Sequence, residues 1–522
     1  MALGGFNRLF RSCGQKVIGF IGMFGSLRYL SQTNCMKDIQ RQISAEEDKH
    51  SEHITTNDSI RHAFSWIGSE TPCFGINGHQ VQVLQQPDQF YETLKIRVKQ
   101  AKKRVVLASL YLGTGILEQE LVNNIREACL EAQRNNDEDF EVHVLLDFVR
   151  GSRGHENSSR TMLTPLLKEF KGMVHVHLFH SPNLRGLLRS LLPQRFDEIV
   201  GLHHMKMYLF DDSFIISGAN LSESYFTDRQ DRYILFNDCT EMANFFSTLV
   251  KGVTASSFVL HFDNTVTLSP HCDAHPFDDK DDGEGYKKEA RQRILDIVRD
   301  EMSKAHLPRD DVDTWVYPLI QMGPLGIQND EQVMKRMLRK ARKEEKLLLA
   351  SGYFNLTDDY MQIILQETDA QFKILMSSPE TNGFFGAKGV SGAVPFVYVQ
   401  TAKEFYNRIC QGDQKSRIQL QEYFHETWSF HVKGLWYYLS HSNLPAMTII
   451  GSSNFGHRSV YRDLECQAVV VTENTNLQNQ LKKEHEDLYQ RSSTITADTF
   501  QQQNRYVPLW VKFVTRTCRT FF

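Results

Sequence analysis

The chain has 522 residues, of which 41% are hydrophobic and 23% are charged, and its formal net charge is −4. This length is ample for several domains with buried cores, and the composition excludes a chain that is disordered throughout or a collagen-like fibre. The charge balance does not favour a nucleic-acid partner, because such proteins usually carry a basic excess or a basic stripe.

The N-terminal segment, residues 1–37, contains five basic residues and no Asp or Glu. An Arg-rich, acid-free N-terminus is typical of a mitochondrial transit peptide, and a disordered basic tail or an interfacial helix is the alternative. The apolar stretch at residues 17–27 is shorter than the roughly 20 residues of a membrane span, so no transmembrane helix is predicted. Residues 38–77 are interpreted as a linker.

An acidic segment near the middle of the chain divides it into two halves that echo each other. Residues 101–111 and 341–353 share a basic helix end followed by an apolar strand that closes in Leu-Ala-Ser-x-Tyr. Later strands are predicted at 142–147 and 372–376, after helical patterns. Alternating strands and helices predict an α/β fold with a mostly parallel or mixed sheet in each half. The predicted boundaries are lobe 1 at 78–265, an acidic linker at 266–290 and lobe 2 at 291–500.

A His-x-Lys pair occurs at the matching place in each half. The pairs are His204–Lys206 and His431–Lys433, and each is followed by a Gly/Ser–Asn turn. Alternate side chains of a strand share a face, so the His and Lys of each pair are expected to point together while Met205 and Met207 face the core. A pseudo-twofold axis between the lobes would then bring both pairs into one cleft.

The residue types in this cleft suit phosphoryl transfer. Two imidazoles can act as a nucleophile and as a general acid and then base, and two ammonium groups with the amides of Asn220 and Asn454 can bind phosphoryl oxygens. Ser452, in the second turn, is a supporting residue. No metal is required by this chemistry, and no metal-ligand spacing is present. The nine cysteines form no C-x-x-C pair and are interpreted as reduced thiols; they are Cys13, Cys35, Cys73, Cys129, Cys239, Cys272, Cys410, Cys466 and Cys518.

Carboxylates distinguish the two halves. Asp211 follows the first pair and completes a His204–Lys206–Asp211 triad, whereas Tyr438 stands at the equivalent place in the second half. Asp231 and Glu465 each lie eleven residues after the Asn of their turn, and either acid can orient a histidine through its second ring nitrogen. This asymmetry favours His204 as the nucleophile and His431 as its partner.

The paired motifs resemble the phospholipase D superfamily over roughly residues 78–500, and the resemblance implies two homologous phospholipase D-like lobes with the active site between them. More particular runs at 218–226, 231–233, 352–357 and 382–389 are similar to the mitochondrial branch of that superfamily that forms phosphatidylglycerophosphate. This likeness implies transfer of a phosphatidyl group from CDP-diacylglycerol to glycerol 3-phosphate, on the route to phosphatidylglycerol and cardiolipin, peripherally at the inner mitochondrial membrane.

Weaker features suit substrate and membrane binding. The glycine-containing turn after the first strand can offer backbone N–H groups near the nucleotide, or it is an ordinary strand–helix turn, and it lacks the Lys-Ser/Thr of an ATP-binding loop. Arg150 and Arg153 are expected to hold the acceptor phosphate or to lie in an exposed loop. A basic amphipathic helix over 184–195 suits either the bilayer or the protein core, and the cation–aromatic segment 501–522 suits either a membrane interface or the protein body. The residues of the turn are Ala108, Ser109, Tyr111, Gly113, Thr114 and Gly115.

Three alternatives to this function stay open at the level of sequence. The acceptor can be serine, phosphatidylglycerol or water instead of glycerol 3-phosphate. A catalytically silent lipid-binding scaffold is suggested by the missing second Asp, although retention of both His-x-Lys pairs opposes it. A nuclease of the same superfamily would need a basic groove, which the net charge of −4 does not favour.

Overall fold

Residues 60–154, 156–192, 197–277, 282–304 and 310–521 are described in a computed structural model, and they form one compact unit. The predicted transit peptide and most of the predicted 38–77 linker lie outside these residues. The strands, in chain order, are β1 (Phe74–Ile76), β2 (Val81–Leu84), β3 (Arg104–Ala108), β4 (Glu141–Asp147), β5 (Val174–Phe179), β6 (Met207–Phe210), β7 (Ser213–Ser217), β8 (Arg229–Gln230), β9 (Tyr233–Phe236), β10 (Phe258–Leu260), β11 (Val266–Leu268), β12 (Thr314–Met322), β13 (Ile327–Gln328), β14 (Lys346–Ser351), β15 (Gln371–Ser377), β16 (Ile418–Tyr423), β17 (Ser429–Phe430), β18 (Lys433–Tyr438), β19 (Met447–Gly451), β20 (Leu464–Thr472) and β21 (Ser492–Thr494).

The helices surround two large sheets, and several begin at recognisable caps. For example, Asn474 accepts a hydrogen bond from the backbone of Leu477 at one helix start. In chain order the helices are α1 (Ile60–Phe64), α2 (Pro87–Gln100), α3 (Ile116–Arg134), α4 (Phe148–Gly151), α5 (Ser159–Glu169), α6 (Gly186–Leu191), α7 (Glu223–Thr227), α8 (Thr240–Thr254), α9 (Glu284–Ser303), α10 (Asn329–Lys340), α11 (Asp358–Gln362), α12 (Val394–Gln411), α13 (His457–Tyr461), α14 (Thr475–Tyr489) and α15 (Leu509–Cys518).

The predicted internal repeat is confirmed by strand order. One sheet runs β11-β10-β5-β4-β3-β6-β7-β9-β2, and the other runs β1-β12-β20-β19-β18-β14-β15-β16-β21, with β13 beside β12. Three parallel strands, β3–β4–β5, are followed in space by the antiparallel β6, β7 and β9. Strands β14–β15–β16 and β18, β19 and β20 repeat this arrangement. Each lobe is therefore a mixed α/β unit built on the same six strands.

The two lobes share a hydrophobic core and a buried ion pair. The core contains residues of both sheets, such as Ile216 and Trp436, together with side chains of α8, α9 and α14. Arg232 of lobe 1 donates to both carboxylate oxygens of Glu484 of lobe 2, at 2.8 and 2.7 Å, and its guanidinium lies 3.9 Å from the Trp436 ring centroid. A Cβ at Gly434 would meet Arg232 Nη1 at 2.2 Å, so this crossing requires a glycine. Arg232 therefore joins the lobes.

Three sequence-based boundaries need correction. Residues 60–77 are not all linker, because Phe64 and Ile67 are buried in the lobe 2 core and β1 pairs with β12. The acidic linker is also shorter than predicted, since β11 pairs with β10 and α9 begins at Glu284. Within the predicted amphipathic helix at 184–195, the described residues form the six-residue helix α6, and Leu184 before it is buried. None of the helices among the described residues is long and apolar enough to cross a bilayer.

Candidate active site

Backbone pairing between the lobes positions both histidines. His204 N–H donates to the Leu464 carbonyl oxygen at 2.8 Å, and His431 N–H donates to the Gln230 carbonyl oxygen at 2.9 Å. Leu464 and Gln230 occupy equivalent places in the repeat, because Leu464 directly precedes Glu465 and Gln230 directly precedes Asp231. The two contacts are therefore related by the pseudo-twofold axis. The His-x-Lys segments were predicted to be strand, but His204 and His431 precede β6 and β18 because their backbone pairs across the lobes instead. Met205 and Met207 do face the core as expected.

Each histidine is held by the carboxylate of the opposite lobe. His204 Nδ1 lies 2.9 Å from the Glu465 carboxylate, which is fully buried. His431 Nδ1 lies 2.6 Å from Asp231 Oδ2. A carboxylate on Nδ1 fixes the ring tautomer that leaves Nε2 as the reactive atom. The predicted contacts between these acids and the histidines are thus present, and each acid contacts the histidine of the opposite lobe.

Two lysines line the same cleft. Lys206 Nζ donates to the His204 carbonyl oxygen at 2.8 Å, and Lys433 Nζ lies 3.4 Å from Asp231 Oδ2 and 2.7 Å from His431 Nδ1. Burial lowers the pKa of both ammonium groups. The positive charge of Lys433 lowers the pKa of Lys206 further. An anionic phosphoryl group bound between them would compensate this loss of hydration, because opposite charge stabilises the protonated form.

Burial also disfavours the protonated form of both imidazoles. The pKa of His204 and that of His431 lie well below the usual value of 6.5, first because of burial and second because of the adjacent lysine. The same burial raises the pKa of Asp231 and Glu465. A neutral imidazole is the form that attacks phosphorus or accepts a proton.

The two Gly/Ser–Asn turns form the floor of the cleft. Asn220 Nδ2 donates to Tyr225 Oη at 3.1 Å, and within the described chain Oδ1 of both Asn220 and Asn454 is buried without a hydrogen-bond partner. A Cβ at Gly218 would lie 2.5 Å from Asp231 Oδ1, which explains why the first turn has Gly where the second has Ser452. Ser452 hydrogen-bonds to Glu465 and so supports the carboxylate that holds His204.

Asp211 is not part of the cleft, so the predicted triad needs correction. It lies at the far end of β6, in a turn with φ of 53°. Its carboxylate accepts hydrogen bonds from the backbone N–H groups of Lys102, Lys103 and Arg104, at 2.7 to 3.1 Å. Tyr438 is equally remote, at the end of β18, where its hydroxyl hydrogen-bonds to His485. Replacement of the second Asp by Tyr therefore removes no group from the cleft, which weakens the scaffold alternative.

The glycine-containing turn is already occupied by protein groups. Gly113 N–H donates to the Leu221 carbonyl oxygen at 2.8 Å, and Gly115 N–H donates to Glu118 Oε2 at 3.0 Å. A Cβ at Gly113 would lie 2.1 Å from Glu118 Oε1. Because a carboxylate fills the start of α3, the structure favours the ordinary strand–helix turn over the phosphate-binding alternative. The nearby side chains serve the fold: Ala108 is buried, Ser109 Oγ donates to the Tyr111 carbonyl oxygen, and Tyr111 Oη lies 3.1 Å from Ser222 Oγ.

Three arginines of the two lobes are paired with acids. Arg150 Nη1 lies 3.4 Å from Glu198, which also contacts Arg153, so both predicted phosphate-binding residues share one carboxylate. Arg458 lies 3.3 Å from Asp463. The role of Arg150 and Arg153 at the acceptor phosphate stays a prediction.

Sequence reasoning missed an aromatic wall beside His431. Tyr225 Oη lies 3.3 Å from His431 Nε2, and the Tyr353 ring meets the imidazole edge-to-face at 5.3 Å between centroids. Tyr398 stacks on Tyr353 at 5.6 Å. Arg229 lies over the Tyr225 ring, 4.7 Å from its centroid. Tyr225 and Tyr353 fall within two of the motif runs, and only their placement in those runs hints at a role in the site.

Outside the cleft, one group of side chains has metal-ligand character. Glu141, His143 and His175 offer ligand atoms within 4.8 Å of one another. The Glu141 carboxylate is already engaged by Lys251 Nζ at 2.8 Å and by His143 Nε2 at 2.9 Å. We interpret this group as an ion-pair network on the outside of lobe 1.

Curated relatives match most of the chain. It is 50% identical over 488 residues to "CDP-diacylglycerol--glycerol-3-phosphate 3-phosphatidyltransferase, mitochondrial" of Gallus gallus, covering 88% of this chain and 87% of that one. The Homo sapiens protein of the same name is 49% identical, with 88% and 86% covered. The Saccharomyces cerevisiae transferase is 32% identical, with 85% and 88% covered. No family model matches the sequence.

A solved structure shares the fold. The phosphatidylserine synthase of Haemophilus influenzae superposes with a TM-score of 0.67 and 18% sequence identity, covering 89% of this chain and 98% of that one. At this identity the likeness concerns the two-lobed architecture alone, and it confirms the fold predicted from the repeated motifs.

Proposed function

Since the chain belongs to the family of CDP-diacylglycerol–glycerol-3-phosphate 3-phosphatidyltransferases, it transfers a phosphatidyl group from CDP-diacylglycerol to glycerol 3-phosphate, and we propose a phosphatidyl-histidine intermediate. Membership in this family favours glycerol 3-phosphate as the acceptor over the alternatives serine, phosphatidylglycerol and water. The observation that carries the mechanism is the pair of buried imidazoles, each held through Nδ1 by a buried carboxylate of the other lobe.

In the first displacement, His204 Nε2 attacks the phosphorus that carries diacylglycerol. A P–N bond forms, the P–O bond to CMP breaks, and CMP leaves as a weakly basic phosphate that needs little acid assistance. We assign the attack to His204 because its side chain is the more accessible of the two, 13% exposed against 5% for His431. Lys206 and Lys433 stabilise the negative charge on the phosphoryl oxygens, and Glu465 stabilises the imidazolium that forms.

In the second displacement, a hydroxyl of glycerol 3-phosphate attacks the same phosphorus. Its proton passes to His431 Nε2, the P–N bond breaks, and phosphatidylglycerophosphate is released. A general base is essential in this step because an alcohol is a poor nucleophile at neutral pH. Asp231 supports the imidazolium that His431 becomes.

The test of the intermediate is isotope exchange. Labelled CMP incubated with the enzyme and CDP-diacylglycerol, without acceptor, is expected to enter the CDP-diacylglycerol pool, because the first displacement is reversible and independent of acceptor. Synthesis of phosphatidylglycerophosphate without such exchange would contradict the covalent intermediate. Enzyme with His204→Ala is the negative control.

We further propose that the enzyme works peripherally on the inner mitochondrial membrane, in keeping with the mitochondrial names of its animal relatives. Val511 of helix α15 and Val507 just before the helix pack on α12, while the outer face of α15 exposes Leu509, Trp510 and Phe513. The exposed cations Lys512 and Arg516 lie on the same helix. Aromatic side chains next to cations suit a surface of anionic lipid.

A second exposed apolar segment lies at the cleft. Phe384 and Phe385 are 37% and 55% exposed, and the Phe384 ring lies 5.6 Å from that of Tyr353, which contacts His431. This segment precedes α12, on which α15 packs, by eight residues that include the 3-10 turn Gly389–Ala393. A membrane bound by these residues would therefore present diacyl substrate beside the histidines.

Replacing Phe513 with Glu is expected to weaken binding to cardiolipin-containing vesicles about tenfold. The change removes one large apolar side chain that would be buried in the lipid surface, and it adds a negative charge that anionic lipid repels. Co-sedimentation measures this directly. The matched control is Phe262→Glu, at a side chain that is 52% exposed on lobe 1, and it is expected to leave vesicle binding unchanged. Equal binding by Phe513→Glu and wild type would remove α15 from the membrane contact.

A further inference from the structure

Arg229 differs from the other arginines of the cleft in its charge compensation. Arg150 and Arg153 share Glu198, and Arg458 pairs with Asp463. Arg229 instead donates through Nε to Ser429 Oγ at 3.0 Å, and its guanidinium stacks on Tyr225. Among the described residues, no carboxylate lies within ion-pair distance of it.

The guanidinium lies one tyrosine away from His431. The Tyr225 ring centroid is 4.7 Å from the Arg229 guanidinium, and the hydroxyl of the same tyrosine is 3.3 Å from His431 Nε2. A Cβ at Gly383 would lie 3.1 Å from Tyr353 Oη and 3.2 Å from Arg229 Nη2. Arg229, Tyr225 and Tyr353 thus form one continuous wall that ends at the Nε2 atom of His431.

A half-buried guanidinium without a carboxylate is suited to bind an anion. Its planar fork matches two oxygens of a phosphate, and stacking on Tyr225 fixes the plane of the fork. Although burial disfavours the charged form, the hydroxyls of Tyr225 and Tyr353 raise the pKa of Arg229. The group is therefore a permanent cation at the side of the cleft where the general base lies.

We infer that Arg229 binds the non-reacting phosphate of glycerol 3-phosphate and so places the acceptor hydroxyl at His431 Nε2. This inference rests on the proposed role of His431 as general base. Lys206 and Lys433 are committed to the reacting phosphoryl group, so the acceptor phosphate needs a separate cation within one acceptor length of the base. Arg229 also supplies a basis for choosing glycerol 3-phosphate over neutral acceptors, because only a charged acceptor gains from it.

The experiment compares Arg229→Gln with wild type, using glycerol 3-phosphate and glycerol as alternative acceptors. The kcat/KM for glycerol 3-phosphate is expected to fall roughly 100-fold, in keeping with the loss of a bidentate charge-assisted contact, while that for glycerol changes little. CMP exchange into CDP-diacylglycerol is expected to stay within about twofold of wild type. Arg126→Gln, at an exposed arginine of lobe 1 that pairs with Glu169, is the matched control and is expected to keep the preference for glycerol 3-phosphate. Arg150→Gln tests the competing phosphate site that the sequence predicts.

Other outcomes overturn the inference. Equal losses with both acceptors, or loss of CMP exchange, would assign Arg229 to the donor or to the fold. Loss of the preference in Arg150→Gln alone would move the phosphate site to Arg150. If Arg229→Gln does not fold, Arg229→Lys retains the charge without the fork, and its KM for glycerol 3-phosphate is still expected to rise. Absence of exchange in wild type would sink the covalent intermediate, while the ratio between the two acceptors would still test Arg229.

Discussion

Replacing His204 with alanine is expected to lower phosphatidylglycerophosphate synthesis by on the order of 10⁴-fold or more and to abolish CMP exchange. Both losses follow because no P–N bond can form without this nucleophile. Initial rates with CDP-diacylglycerol vesicles and glycerol 3-phosphate give the first quantity, and labelled CMP gives the second. His261→Ala is the control, since His261 bonds to Thr267 at the edge of lobe 1, away from the cleft.

His431→Ala is expected to separate the two steps. Synthesis falls to a similar extent, but exchange persists, because departure of CMP needs little acid assistance while attack by an alcohol needs a base. The phosphatidyl-enzyme is then expected to accumulate, and acid-labile label from the lipid phosphate on the protein would report it. The opposite pattern, with exchange lost in His431→Ala and kept in His204→Ala, would exchange the roles of the two histidines.

The second large effect concerns the carboxylates that cross between lobes. Glu465→Gln is expected to behave like the loss of His204, and Asp231→Asn like the loss of His431, each lowering synthesis roughly 10³-fold. An amide in place of the carboxylate neither stabilises the imidazolium nor enforces the tautomer with a free Nε2. Only Asp231→Asn should therefore keep CMP exchange.

The pH profile of these two variants gives an independent check. Removing a negative charge beside an imidazole destabilises its protonated form, so the pKa of the histidine falls further below 6.5. The acid limb of the rate profile is expected to move to lower pH, not higher. If Asp231→Asn lost exchange while Glu465→Gln kept it, each acid would act within its own lobe and the crossed arrangement would not describe the working enzyme.

The repeat and the reactive pairs were readable from sequence because they depend on local pattern. Matching Leu-Ala-Ser-x-Tyr strands predicted two copies of one α/β unit. The recurrence of His-x-Lys at matching places predicted that His204 and His431 are the reactive residues. A strand pattern and a motif spacing are properties of neighbouring residues, so they need no knowledge of distant contacts.

Asp211 was assigned to the wrong place and the glycine-containing turn stayed open between two interpretations, because burial and hydrogen-bond partners are tertiary properties. Spacing alone joined Asp211 to the histidine, whereas its carboxylate binds the backbone of residues 102–104. In the same way, the sequence of the turn suggests free backbone N–H groups, whereas in the structure Gly115 N–H donates to the Glu118 carboxylate.

Local sequence patterns predict the two-lobed α/β fold, the pair of reactive histidines and one acid after each Asn turn. They do not reveal that Asp231 contacts His431 and Glu465 contacts His204, because this pairing depends on the backbone hydrogen bonds that the lobes exchange at Gln230 and Leu464. The position of Arg229 beside Tyr225, with no carboxylate in ion-pair distance among the described residues, is likewise visible only in the folded chain. Asp231 and His431 lie 200 residues apart in the chain. Such partners are brought together by packing between the lobes, so no local sequence pattern indicates them.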